Sequence, residues 1–192
     1  MKKKIKSNIR LARYVIYKET LVDYHEHLWT FIGSFVGVGL IGFLNSYYLN
    51  AGDNLFLIGS FGASSVLIYG VINSPLAQPR NLIGGHLISA IVGVTINMLV
   101  PETWLAAALA VSISIVLMQI TKTLHPPGGA TALVAIIGSD KIKALGYFYV
   151  ISPVLSGVIV LFFAALIFNN LTPNRSYPTN KHWYKLWKRK YR

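Results

Sequence analysis

The placing of charge constrains this chain more than any other feature. Of its eighteen Lys and Arg residues, seven lie in 2–18 and seven in 175–192, leaving Arg80, Lys122, Lys141 and Lys143 between. The six acidic residues, Glu19, Asp23, Glu26, Asp53, Glu102 and Asp140, fall in the N-terminal tail or in expected turns. The intervening chain is a succession of apolar stretches, and charged residues make up 12% of the whole, about half the usual share. Such a pattern belongs to one membrane domain. Basic ends of this kind mark cytoplasmic tails beside anionic lipid headgroups, and the apolar bulk argues against a nucleic-acid role. With no cysteine, disulfides and thiolate metal sites are excluded as well.

Taken in order, residues 1–27 read as a basic amphipathic segment lying in the cytoplasmic interface, with Ile5, Ile9, Ala12 and Ile16 at helical spacing. No apolar run precedes Leu28, so the first span is expected to serve as its own insertion signal. His25, Glu26 and His27 diverge on a helix and are expected at headgroup level. Residues 28–168 hold six apolar segments: Leu28–Leu49, Leu55–Ile72, Leu82–Val100, Trp104–Thr121, 125–139 and Leu145–Phe168. In the first, Gly33-xxx-Gly37 offers a smooth face for helix packing within the bundle or, more sharply, for a homo-oligomer contact. Between the second and third, Asn73 through Asn81 is a polar loop whose prolines predict an extended path. Residues 169–192 form a basic, aromatic tail suited to anionic headgroups.

The fifth segment is unusual. Pro126 and Pro127 stand where a helix would begin, Gly128 and Gly129 follow, and the apolar run ends at Ser139. Its helical length of about 22 Å falls short of the ~30 Å hydrocarbon core. One reading is a half-spanning helix whose N-terminal amides hold an anion inside the membrane. The other is a loop followed by a short packed helix. An internal repeat is also legible: Gly62–Leu67 aligns with Gly129–Val134 at an offset of 67 and Ile88–Ala90 with Ile151–Pro153 at 63. Two three-segment halves that all cross make an inverted repeat, a common transporter plan. Six crossings put Arg80 and Lys122 on the side of both tails, whereas four crossings with re-entrant second and fifth segments do not. The positive-inside rule prefers six.

No carboxylate is expected inside a span, which argues against a cation carrier. The intramembrane polar groups are hydroxyls (Ser64, Ser65, Ser89, Thr131), imidazoles (His86, His125) and glycine amides, with Arg80 and Lys122 in nearby loops. Donors predominate, which suits an anion or a small polar solute. Ser64 or Ser65 beside His86 or His125 also sketches an intramembrane hydrolase, but no carboxylate stands ready to orient the imidazole. A metal site on His86 and His125 lacks further ligands, and no cofactor is expected. A membrane scaffold or regulatory subunit is the remaining alternative; it leaves the proline-led segment unexplained.

His125-Pro126-Pro127-Gly128-Gly129-Ala130-Thr131-Ala132-Leu133 closely resembles the signature of the HPP transmembrane family. Ser74–Asn81 followed by Gly84-Gly85-His86 resembles a second marked segment of that family, and Phe61-Gly62-Ala63-Ser64 a third. The resemblance implies an integral protein of bacterial plasma membranes or plastid envelopes, some plant members being linked to nitrite transport. It also implies four spans, fewer than the six segments here. The expectation is therefore an all-α integral membrane protein, not an enzyme, that passes a small anion, nitrite first. His125, the Gly128 and Gly129 amides, Thr131, Ser64 and Ser65 are expected to line the path. Arg80 and Lys122 would draw anions in, and His86 would line or gate the path.

Overall fold

A computed structural model describes residues 24–48 and 58–179. Residues 1–23 of the expected amphipathic segment at 1–27, the aromatic residues beyond 179 and the turn around Asp53 lie outside the described residues. What is described is helical. Helix α1 is Tyr24–Tyr48; α2 is Gly59–Ser65, carried on by a wide π-type turn at Val66–Gly70; α3 is Pro79–Leu99. Next come α4, Thr103–Ile120; α5, Pro126–Ile137; a short α6, Asp140–Ala144; and α7, Ser156–Phe168, entered through a kinked stretch at Val150–Leu155. Four stretches are long and apolar enough to cross a membrane: Tyr24–Ser46, Pro79–Leu99, Thr103–Ile120 and Val150–Phe168. The other two expected segments are the short ones, α2 and α5.

These helices alternate in direction. One end of the bundle gathers the start of α1, the end of α2, the 71–78 loop, the start of α3, the end of α4 and the chain after α7. Arg175 bonds the Glu26 and Tyr69 carbonyls, Tyr177 the Ala77 carbonyl, and Arg80 the Thr121 carbonyl at 2.7 Å. The opposite end joins the last turns of α3 to the start of α4, the end of α5 and the chain before α7. There Thr95 meets Tyr147 at 2.9 Å, and Ala106, Ile136 and Ile96 pack together. The order long, short, long therefore occurs twice with direction reversed, as an inverted three-segment repeat requires. Gly59–Gly70 and Pro126–Ile137 are related by 126 − 59 = 67 and 137 − 70 = 67, the offset of the sequence match. The second match does not extend to conformation: α3 is unbroken at Ser89, whereas Ser152 is extended (φ −137°, ψ 122°) and interrupts the last span.

Local chemistry sets the boundaries. Gln78, preceding a proline, is extended (ψ 153°), and Pro79 opens α3 rather than prolonging the loop, since a first-turn proline forfeits no helical bond. The loop itself contains a 3-10 turn at Pro75–Ala77, and the Gln78 amide closes it onto the Ile72 and Ser74 carbonyls. Gly33 and Gly37 receive the ring of Tyr69, whose hydroxyl donates to the Leu161 carbonyl at 3.2 Å. That glycine face is thus used inside the protomer, as packing for α2 and α7. The tightest helix pair is α3 with α5: Gly85 and Gly93 let α3 close on His125, Ala132 and Ala135.

The segment after α7 departs from a lipid-facing tail. Arg175 is 5% exposed and lies 3.5 Å from the Glu26 carboxylate, so Glu26 is an ion-pair partner rather than a free headgroup-level residue. Burial lowers the Arg175 pKa, and Glu26 opposes that shift. Tyr177 is also buried. Residues 169–179 form a strap across the loop end of the bundle.

Candidate functional site

At the crossing of α2 and α5 four polar side chains converge. His125 precedes the first helical residue of α5, and the following proline holds it extended (φ −140°, ψ 104°). Its ring consequently leaves the helix axis and meets Ser64 of α2, Nε2 to Oγ 2.9 Å. Gly85 brings α3 against His125, so the next residue, His86, reaches the same hydroxyl, Nε2 to Oγ 2.7 Å. His86 Nδ1 lies 2.7 Å from Thr131 Oγ1, and His125 Nδ1 is 2.9 Å from the Leu76 carbonyl oxygen. All four side chains are 0% exposed. Phe61 sets its ring edge against His86, centroids 5.8 Å apart. Tyr149 donates to the Thr131 backbone carbonyl at 3.0 Å and ties α5 to the broken span.

The proton positions follow from one acceptor. A carbonyl only accepts, so His125 Nδ1 carries its hydrogen and donates to Leu76. Neutral His125 then has a bare Nε2, which must accept from Ser64. The serine hydroxyl has a single hydrogen and therefore accepts from His86 Nε2–H. His86 Nδ1 is left bare and accepts from Thr131. These tautomers are assigned from the network, and they give one unbroken direction: Thr131 to His86 to Ser64 to His125 to Leu76.

His125, His86, Ser64 and Thr131 are brought together; the other expected residues are not. The Gly128 amide donates to the His125 carbonyl at 2.8 Å, and helical geometry directs the Gly129 amide to the same acceptor. Pro126 and Pro127 have no N–H at all. The first turn of α5 thus offers an incoming anion no spare amide, because the prolines that start the helix also remove its free donors. Ser65 turns away and bonds the Phe61 carbonyl one turn back at 2.9 Å. Arg80 closes the end of α4 on Thr121, and Lys122 occupies a left-handed turn (φ 58°).

Sequence reasoning missed Tyr149, Phe61, the Leu76 carbonyl and Ser60, a buried serine whose Oγ has no partner among the described residues. A signal existed for Tyr149: it follows His86 by 149 − 86 = 63, the offset that pairs Ser89 with Ser152.

Two transmembrane proteins of Dictyostelium discoideum are similar to this chain. One is 45% identical over 160 residues, covering 81% of the chain and 56% of the relative. The other is 43% identical over 160 residues, covering 81% and 51%. The chain spans about half the length of these relatives. No solved structure matches. Residues 19–178 match the family described as "HPP, transmembrane region". That range holds the proline-led half-helix, His86, His125 and nearly all of the strap, and the chain belongs to this family.

Proposed function

We propose that the protein passes a small anion across the membrane, nitrite being the first candidate, through the crossing of α2 and α5. The observation that carries this reading is the buried Ser64–His86–His125–Thr131 cluster at the meeting of two short antiparallel helices. Polar side chains inside a membrane bundle are costly and tend to mark solute paths, and short helices crossing near the midplane are a transporter plan. The anion class is supported by the cluster's chemistry: it offers O–H and N–H donors and no carboxylate. Nitrite enters through the family, some plant members of which are linked to it. The Gly128–Gly129 amides have no part in the revised path, and the donors an anion would compete for are Ser64, Thr131 and His86 Nε2–H. In the arrangement described the cluster is closed, so passage requires α2 and α5 to part.

Purified protein in proteoliposomes, assayed with nitrite, nitrate, formate and chloride, tests this. Flux above protein-free vesicles, reduced by Ser64→Ala, is the expected result. Absence of flux for all four ions would leave the scaffold or regulatory reading.

One distance favours a second reading. Ser64 Oγ is 2.9 Å from His125 Nε2, the spacing of a nucleophile and its base, with the Leu76 carbonyl orienting the ring. Against it, His86 donates to the same oxygen and lowers its nucleophilicity. Labelling of Ser64 by a fluorophosphonate probe would favour a hydrolase.

A further inference from the structure

We infer that His86, Ser64 and His125 form a binding site for one proton, shared between the two imidazoles through the serine hydroxyl, with Thr131 as the group that switches when the proton arrives. This inference rests on the proposed anion path for its role in transport, but the binding site itself does not.

The argument is a count of donors and acceptors. In the neutral network each bond has one donor and one acceptor, so there is no spare donor pointing at Thr131. Let one proton bind His86 Nδ1. That nitrogen now donates to Thr131 Oγ1, and the threonine hydrogen must find another acceptor. One is in place: the Pro127 carbonyl, 3.4 Å from the same oxygen. That carbonyl belongs to the first turn of α5, where the residue four positions on supplies the hydroxyl. The charged state is therefore as fully bonded as the neutral one.

The proton can then relocate without any heavy atom moving. His86 Nε2 passes its hydrogen to Ser64 Oγ as Ser64 passes its own to His125 Nε2. One N–H and one O–H bond break while one O–H and one N–H form, and the charge moves from the first ring to the second. Every donor again has an acceptor: His125 Nε2–H to Ser64, Ser64 to His86 Nε2, His86 Nδ1–H to Thr131. Beyond His125 the route stops, because the Leu76 carbonyl cannot take a proton. The network stores a proton rather than conducting it through.

A second proton is opposed. The rings are 4.9 Å apart between centroids, and two imidazolium charges at that separation in a dry interior repel strongly. Among the described residues no carboxylate is hydrogen-bonded to the pair, whose partners are Ser64, Thr131 and the Leu76 carbonyl. Among the described residues the buried phenols Tyr149, Tyr69 and Tyr177 are engaged elsewhere, donating to the Thr131, Leu161 and Ala77 carbonyls. The cations Arg80 and Lys122 stand on the exposed rim. For an anion path the consequence is symport: one stored proton gives the neutral cluster the positive charge a small anion needs, and the pair crosses with no net charge.

The test uses the full chain in nanodiscs with 15N-labelled histidine, the two resonances being assigned with His86→Gln and His125→Gln. The expected result is a single shared titration: both rings shift with a common midpoint and together take up one proton. Ser64→Ala should split that midpoint in two, while Ser64→Thr, which retains the hydroxyl, should restore it. Independent midpoints in the unaltered protein, or a shared midpoint that survives Ser64→Ala, would overturn the assignment, as would two rings that never titrate while the protein stays folded. Proteoliposome flux under an imposed proton gradient separates the two ideas. Gradient-driven anion uptake supports symport; uptake indifferent to the gradient overturns symport and leaves the carrier. A shared titration without anion flux overturns the carrier and leaves the proton site.

Discussion

Gly85 and Gly129 stand in similar surroundings, each the second of a glycine pair, yet the fold uses them in opposite ways. A Cβ on Gly85 would lie 2.5 Å from His125 Cβ and 2.9 Å from the Thr123 carbonyl. A Cβ on Gly129 would meet only Val111, at 3.8 Å. Gly85→Ala is therefore expected to displace His125 and cost about 1–3 kcal/mol through overpacking, read as a lower melting temperature in detergent. Gly129→Ala should be neutral or better, gaining up to about 1 kcal/mol of helix propensity. Equal effects of the two would contradict this packing. Arg175 carries a second residue-scale prediction. Arg175→Met leaves the Tyr69 carbonyl with only Thr30 and removes the Glu26 ion pair, so a loss of about 1–3 kcal/mol is expected. Thermal melting of Arg175→Met beside Glu26→Gln checks it, and the Glu26 variant should be the milder, since that side chain is partly exposed. That His86, His125, Ser64 and Thr131 lie inside the bundle was legible in the sequence because polar groups are rare there and are costly against lipid. That Ser65 and the Gly128 amide drop out was not legible: helix phase turns one away, and a backbone bond consumes the other.

At the scale of elements, α3 and α5 are held close by missing side chains. Gly93 faces the Ala132 carbonyl and Ala135, where a Cβ would come within 2.7 and 2.8 Å. The stripe Gly85, Ser89, Gly93 lies on one face at four-residue spacing, and Gly128, Ala132 and Ala135 oppose it. Without a hydrophobic driving force between helices in lipid, such close approach is what holds the pair. Gly93→Leu should push the helices apart along α5, lengthen the His86–Thr131 contact two turns away and destabilise the fold by about 1–3 kcal/mol. A cross-link between cysteines at positions 96 and 136, whose side chains belong to one packed cluster, would report the separation directly; cross-linking unchanged by Gly93→Leu would count against it. The two short helices were readable from the sequence, α5 by its prolines and α2 by its likeness to α5. The break at Ser152 was not, since Pro153 inside an apolar run reads equally as a kink in a continuous helix.

For the whole molecule, the start of α1, the strap and the polar loop share one end of the bundle, and its orientation can be tested without knowing any solute. The 71–78 loop is joined to the strap by the Tyr177–Ala77 and Thr179–Gln78 bonds, and the strap is joined to the start of α1 by Arg175 and Glu26. The 138–149 segment is at the other end, with Tyr147 on Thr95. Arg80, Lys122 and Arg175 belong to the first end, with the basic runs at 2–18 and 181–192 adjoining it in sequence. Lys141 and Lys143 at the second are offset by Glu102 and Asp140. The positive-inside rule then predicts that the first end faces the cytoplasm. The chain has no native cysteine, so single cysteines at the exposed positions Asn73, Asn174 and Ser139 are clean probes for an impermeant thiol reagent on intact cells. Position 139 should label from outside, and positions 73 and 174 only after the membrane is opened. Labelling of both 73 and 174 from outside, with 139 protected, would reverse the orientation and leave the architecture standing. Labelling of 73 and 174 from opposite sides would break the inverted repeat itself, because two halves of three alternating segments must return the chain to the side from which it set out.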